Sequence, residues 1–154
     1  IGSAAASEYA FDVRSNSGNT QIISAKGDGN VAIGTGTPTT QFTVTKSANI
    51  AQVAITSSSN AVAWDSTAAA NAYHVTTENT TFSAPSNAVE GAIISVELAQ
   101  GGTARTIGWN TVFEFAESTA PTVTATASKT DIFSFRYNGS VWQEIGRVQN
   151  MAQT

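Results

Sequence analysis

The stretch DIFSFRYNGSVWQEIG, Asp131 to Gly146, decides the fold class. Its aromatic residues Phe133, Phe135 and Tyr137 recur at every second position, which is the period of a half-buried β-strand. Asn138-Gly139 follows, the dipeptide that most favours a two-residue type I′ turn. A second run then leads back through Val141 and beyond. The stretch therefore predicts an antiparallel β-hairpin.

The rest of the chain repeats this strand pattern in shorter segments. YAFDV, FTVTK, AYHVT and GAIISVELAQ each carry alternating or β-branched residues, which suit a pleated and half-buried surface. No long segment has the 3.6-residue period of an amphipathic helix. We therefore predict an all-β fold.

The two parts of the chain differ in how much core they can build. Residues 1–58 have Gly-rich turns and very short strands, whereas residues 59–154 contain all three tryptophans, Trp64, Trp109 and Trp142. We predict a short-stranded region over 1–58 that needs partners from another chain. Residues 59–154 are predicted to form one two-layer antiparallel β-sandwich, whose exact topology stays open. Because the chain begins with Ile1 rather than methionine, we expect it to be a piece of a longer protein.

We expect that the first part does not bury its own apolar side chains, because short strands with few large residues need partners. We predict that its apolar strand residues line a core between subunits. The residues of this predicted intersubunit core are Ile22, Val31, Ile33, Phe42 and Val44.

Composition argues against several classes of partner. Only 12% of the residues are charged, the formal net charge is −4 and there are seven Lys and Arg in the chain. Nucleic-acid binding needs clustered basic residues, so we expect none. There are no cysteines, which excludes disulfides and thiolate chemistry. No run of eighteen apolar residues occurs, so we expect no membrane insertion.

The segment KGDGNVAIGTGTP, Lys26 to Pro38, contains the pattern G-x-G-x-x-A of a nucleotide-binding loop. Such a loop works only where a helix follows, because the phosphates sit at the helix N-terminus. Gly34, Gly36 and Pro38 prevent a helix here. We therefore predict a turn between short strands and no cofactor.

Candidate catalytic groups are few. His74 is the only histidine, and its strand-like surroundings favour a structural role. The carboxylates of the larger part are scattered rather than clustered, so we predict no metal site, no catalytic residue and no enzymatic activity. They are Asp65, Glu78, Glu90, Glu97, Glu114, Glu117, Asp131 and Glu144.

Aromatic residues and loops raise the question of ligand contact. Trp64 and Trp142 are expected in a core or a subunit interface rather than against a sugar, while Trp109 stays open between the two. The receptor-contacting residues are unknown. The loops Ala99–Ala104 and Ala116–Pro121 are the first candidates, since binding residues favour loops on rigid scaffolds.

Two segments resemble tailed-bacteriophage fibre and spike proteins. GNVAIGTGTPTTQFTV, Gly29 to Val44, is similar to a Gly-Asn-Val-Gly-Ile-Gly-Thr segment of those proteins, with Ala32 in place of the second glycine and Gly36 where Thr or Ser is common. Residues Thr81 to Gly146 resemble a β-rich module found near the ends of phage fibres.

The resemblance implies a homotrimeric virion structural protein on the outer surface of the particle. Residues 1–58 would then be its trimerisation or attachment region, and residues 59–154 its jelly-roll-like β-sandwich knob. The protein would be a tail or head fibre or spike, bound to other capsid or tail proteins and displaying its sandwich for host-surface contact, including contact with host glycans. A capsid decoration (cement) protein is the structural alternative. A carbohydrate-binding module or a glycan-degrading spike are the others, although the latter needs two carboxylates in one groove.

Overall fold

A computed structural model describes residues 9–15, 20–38 and 40–153. Ile1 lies outside these residues. The described chain is all-β, as predicted, with strands arranged in three sheets and a 3-10 turn at Ala116–Ser118.

The chain divides into two compact units after Asn49, rather than after residue 58 as predicted. The predicted boundary is wrong because the first strands after Asn49 pair with later strands. Gln52–Ala54 pairs with Asn71–Val75, and Ser57–Ser58 pairs with Ala61–Val62.

The first unit contains one four-stranded sheet. Its strands, in spatial order, are β1 (Tyr9–Arg14), β2 (Gln21–Lys26), β3 (Val31–Ile33) and β4 (Phe42–Val44). The β1–β2 and β2–β3 pairs are antiparallel and the β3–β4 pair is parallel. The tight turn between β2 and β3 uses Gly29 at a φ of +86°, a conformation that glycine adopts without steric cost.

The second unit contains a six-stranded and a four-stranded sheet. The six-stranded sheet runs in the order β12 (Phe113–Glu114), β14 (Trp142–Ala152), β13 (Lys129–Tyr137), β10 (Ile93–Ala99), β8 (Asn71–Val75) and β5 (Gln52–Ala54). The four-stranded sheet runs β11 (Ile107–Trp109), β9 (Thr80–Phe82), β7 (Ala61–Val62) and β6 (Ser57–Ser58).

Both sheets of the second unit are mixed, which corrects the prediction of an antiparallel arrangement. β8 pairs with β10 in parallel, β5 with β8 likewise, and β9 lies parallel to both β7 and β11. The reason is that two strands adjacent in one sheet are joined along the chain through a strand of the other sheet. After β8 the chain forms β9 in the other sheet and then returns to β10, so β8 and β10 run in the same direction.

The predicted hairpin is present, with a different turn. β13 pairs antiparallel with β14, and Tyr137 lies opposite Trp142. Gly139 has a positive φ of 98° but Asn138 does not, so the type I′ prediction is wrong. The Asn138 side-chain carbonyl instead accepts hydrogen bonds from the backbone N–H groups of Ser140 and Val141, each at 2.9 Å.

Aromatic side chains from both sheets form the core of the second unit. Trp64 and Trp142 are buried, as predicted. Trp109 stands at the centre of a ring of phenylalanines, with ring centroids 4.9 to 5.6 Å away. These phenylalanines are Phe82, Phe113, Phe115, Phe133 and Phe135. All three tryptophans therefore belong to this core, and the open question about Trp109 is answered by its contacts.

A buried carboxylate fixes the far end of the hairpin. Asp131 lies at a β-bulge, where the single residue faces both Gln149 and Asn150 of β14. Its oxygens accept hydrogen bonds from the backbone N–H groups of Thr124 and Asn150 and from the Gln149 amide, at 2.7 to 3.0 Å. Burial by itself raises the pKa of Asp131, but these donors outweigh it and the pKa lies below the ordinary 3.8.

Replacing Trp109 by alanine should lower the free energy of unfolding of the second unit by about 3–5 kcal/mol, because a cavity opens where five rings meet. Urea unfolding followed by circular dichroism measures the change. Ile145→Ala is the control, since Ile145 is 55% exposed, and a change of about 0.5 kcal/mol or less is expected there. Equal losses in both variants would contradict the central role of Trp109.

Asp131→Asn should destabilise the protein by about 1–3 kcal/mol near neutral pH, because the amide nitrogen cannot accept the hydrogen bonds. The depressed pKa of Asp131 means that its stabilisation is fully present above pH 3.8 and is lost as pH falls through the lower folded pKa. The stability difference between wild type and variant should therefore shrink as the pH falls below that value. A difference that stays constant down to pH 2 would contradict this assignment.

Candidate functional site

The sheet of the first unit has one face made entirely of apolar side chains. Strand pairing aligns residues of the four strands in two adjacent rows that cross the sheet. Residues directly opposite one another point to the same face, as do residues two apart along a strand. We call these eight residues the apolar face. One row is Val13, Ile23, Ile33 and Val44, and the other is Phe11, Ala25, Val31 and Phe42.

The apolar face is not covered by the described chain. Phe42 is 63% exposed, Phe11 57% and Ile33 42%. Among the described residues of the first unit, only Ser24 and Ala32 are buried, and neither carries a large apolar side chain. The described residues of the first unit therefore form no hydrophobic core of their own.

The opposite face of the same sheet is covered from within the unit. Ser24 and Ala32 lie in the row between the two apolar rows, so their side chains point the other way. The Ser24 hydroxyl donates to the Thr35 carbonyl at 3.0 Å, and the Tyr9 hydroxyl donates to the Gly36 carbonyl at 3.1 Å. The segment after β3 thus folds back over this face.

Two glycines of the Lys26–Pro38 segment allow this close packing, because a larger residue would overlap its neighbours. Gly34 has a φ of +83°, and a Cβ there would overlap the Thr45 hydroxyl. A Cβ at Gly36 would overlap the Gln21 side chain and the Tyr9 hydroxyl. The segment contains no helix, so it lacks the helix N-terminus that a phosphate-binding loop provides.

Four of the five residues predicted for an intersubunit core lie on the apolar face: Val31, Ile33, Phe42 and Val44. Ile22 does not belong to either row, because the register of β1 and β2 shifts at this point and leaves it without a partner on β1. The neighbouring Ile23 occupies the row instead. Phe11 and Val13 were missed, although their alternation in YAFDV was a usable signal.

His74, the histidine among the candidate catalytic groups, is fully buried. Its Nδ1 lies 2.9 Å from the Ile55 carbonyl oxygen. Because a carbonyl only accepts hydrogen bonds, Nδ1 carries the proton. Nε2 is buried without a hydrogen-bond partner, and the ring packs edge-on against Phe82 at 6.0 Å. A substrate has no access to this ring.

The candidate carboxylates are largely engaged in local structure. Asp65 accepts hydrogen bonds from the Thr67 hydroxyl, from the backbone of Thr67 and Ala68, and from the Asn87 amide, and these bonds lower its pKa, the Thr67 hydroxyl most strongly. This is a turn-stabilising role.

Three of the carboxylates line one surface depression of about 380 Å³: Glu114, Glu117 and Glu144. Glu114 accepts a hydrogen bond from Gln143 at 3.1 Å, and Glu144 lies 3.4 Å from the Arg147 guanidinium. Across residues 9–15, 20–38 and 40–153, no three His, Cys, Asp or Glu side chains are grouped so that they could hold a metal ion.

Of the two candidate contact loops, the first is anchored by a buried side chain. Gln100, at the start of the first loop, is buried. Its side chain bonds to the Thr76 hydroxyl and to backbone groups of Arg105 and Thr124, at 2.7 to 2.9 Å. In the second loop, Glu117 and Ser118 have positive φ values of 55° and 54°. Receptor contact by either loop stays a prediction.

No protein-family model, curated protein or solved structure matches this chain significantly. In the part of the chain that the structure describes, no helix is long and apolar enough to cross a membrane. The resemblance to phage fibres therefore rests on the sequence segments alone.

Gly34→Ala should destabilise the first unit by about 1 kcal/mol or more, because alanine is strained at positive φ and its Cβ would overlap Thr45. Amide hydrogen exchange over residues 20–45 measures the effect. Gly102→Ala is the matched control, since Gly102 has open space around it and no positive φ. Unchanged exchange in the Gly34 variant would mean that the segment does not pack as described.

Proposed function

We propose that this chain is a non-enzymatic structural protein of a virion, a fibre or spike of the tailed-bacteriophage type that acts as a homotrimer. One observation carries the proposal: the sheet of the first unit has an entirely apolar face, and the described residues of this unit include no large buried side chain. A contiguous exposed apolar patch on a soluble protein marks an interaction surface. The resemblance of Gly29–Val44 and Thr81–Gly146 to phage fibre segments supports the virion context.

In this proposal the first unit joins the copies and the second unit is displayed. The second unit has its own aromatic core built from both of its sheets, so it can serve as a sandwich-like knob without help from a partner. The low charge of the chain, at 12% of residues, suits a durable extracellular surface. The knob would contact the host surface from the outside of the particle.

The state of the candidate catalytic groups favours a structural protein over a glycan-degrading one. Such an enzyme uses one carboxylate as an acid and a second as a base or nucleophile. Here Asp131 is held by three donors, and His74 is enclosed in the core. Of the three carboxylates that line one depression, Glu114 accepts a hydrogen bond from Gln143 and Glu144 lies beside Arg147. Their contacts are those of structural residues.

Ile33→Asp tests the proposed association. Wild type should have the mass of three chains by light scattering at micromolar concentration, because the apolar faces cover one another. The variant should dissociate, since burying an unpaired carboxylate costs several kcal/mol.

The control for this experiment is Val89→Asp, which places the same charge at a residue that is 63% exposed in the second unit. It should remain associated. A wild type that stays monomeric at micromolar concentration would overturn the proposal. Imaging of virions that carry the labelled chain then distinguishes a fibre or spike from a capsid decoration protein.

A further inference from the structure

A second apolar surface lies on the outward face of the six-stranded sheet in the second unit. Strand pairing places its residues in two adjacent rows, which we call the outer band. The apolar residues of the first row are Ala54, Tyr73, Ile132 and Val148. Those of the second row are Val75, Ala99 and Met151.

The outer band is exposed and nearly free of charge. Val148 is 56% exposed and Val75 50%. The one charged residue in the two rows is Glu97, which lies between Tyr73 and Ile132. Its carboxylate accepts a hydrogen bond from the Gln52 amide at 2.9 Å. Apart from this hydrogen-bonded carboxylate, which lies in the middle of the first row, the two rows carry no charge. A low share of charged residues is typical of protein interfaces.

The two sides of the outer band differ in shape. On β10, β13 and β14 there is a hollow of about 410 Å³. Its lining combines the apolar Ala99, Ile132, Met151 and Ala152 with the polar Glu97, Thr130 and Gln153. On β8, Tyr73 and Val75 present exposed side chains. One face therefore carries both a hollow and bulky side chains that could fill a hollow on another molecule.

The apolar face of the first unit is too small to hold an oligomer alone. Four strands about 4.8 Å apart and two rows about 7 Å apart cover on the order of 250 Å². A stable protein interface buries about 800 Å² on each partner. Association of this chain therefore requires further surface, and the outer band is an apolar surface of the described chain that can supply it.

We infer that the outer band is a second contact between copies of this chain, with Tyr73 and Val75 of one copy packing into the hollow beside Met151 of the next. This inference rests on the self-association proposed above. The contact joins two different sides of the band, so it is heterologous. Heterologous contacts close into a ring when the rotation between copies closes, and three copies related by a threefold axis satisfy this condition.

Paired cysteines test the contact, and the absence of native cysteines makes them unambiguous. Val75 and Met151 lie three strands apart, about 14 Å, and a disulfide needs Cα atoms within about 7 Å. Any disulfide in the full-length Val75→Cys/Met151→Cys variant must therefore join two chains. We expect covalent dimers and trimers on a non-reducing gel after mild oxidation.

The matched control is Ile93→Cys/Gln143→Cys. These two residues flank Arg136 on the same sheet face, in a row outside the band. They are about 10 Å apart, so they also cannot bridge within one chain. We expect this pair to remain largely monomeric on the gel.

A second measurement covers the case in which an introduced cysteine disturbs folding. Val75→Lys should raise the dissociation constant of the oligomer about tenfold or more, as charge placed in an interface core does. Ile93→Lys should change it less than about twofold, as an exposed substitution outside the core does. Sedimentation velocity over a dilution series gives the constants, and thermal unfolding confirms that both variants are folded.

The outcomes separate this inference from the proposed function. If wild type associates but the cysteine pair cross-links no more than its control and Val75→Lys leaves the dissociation constant unchanged, the outer band is not a contact and association proceeds through another surface. If wild type is monomeric at all concentrations, both proposals fail together. Cross-linking above the control with weakened binding of Val75→Lys supports the inference.

Discussion

A four-stranded sheet has two faces, and the described part of the first unit covers one of them. The segment that follows β3 folds back over the face of Ser24 and Ala32 and is held there by hydrogen bonds to Thr35 and Gly36. Nothing in the described chain is left to bury the other face, which consists of eight apolar residues. Burial of apolar surface is the main favourable term in folding. The proposed association follows from this single constraint.

The second unit covers the apolar faces of its sheets in a different way. It has two sheets, and the face of each that carries aromatic residues contributes to one shared core around Trp109. The buried side chains of Asp131 and Gln100 find hydrogen-bond partners within the unit. The second unit therefore has a core of its own, whereas the described part of the first unit leaves its apolar face uncovered. This contrast supports assigning assembly to the first unit and display to the second.

The sequence predicted those features that depend on neighbouring residues. The alternation of Phe133, Phe135 and Tyr137 correctly indicated both the strand and its buried face. Features that depend on distant pairing were missed. The parallel neighbours β8 and β10 are joined through a strand of the other sheet, which leaves no local signal in either strand.

In the candidate site, too, the residues that a local pattern marks were predicted, and a feature set by pairing with another strand was missed. Apolar alternation was enough to select Val31, Ile33, Phe42 and Val44, but it could not reveal the bulge that removes Ile22 from the row. The type I′ turn was predicted from backbone preference alone. It was wrong because the Asn138 side chain accepts two backbone hydrogen bonds, which stabilises a different turn.

Solvent access to the apolar face tests the central claim most directly. Because the chain has no cysteine, Ile33→Cys introduces a single thiol on that face, and its alkylation rate reports whether the face is covered. In the native protein at micromolar concentration we predict labelling at least about tenfold slower than at a thiol introduced at Val89, because a covered side chain reacts only through rare opening of the assembly. Equal labelling rates at the two sites would contradict the account, since the apolar face would then be open to water.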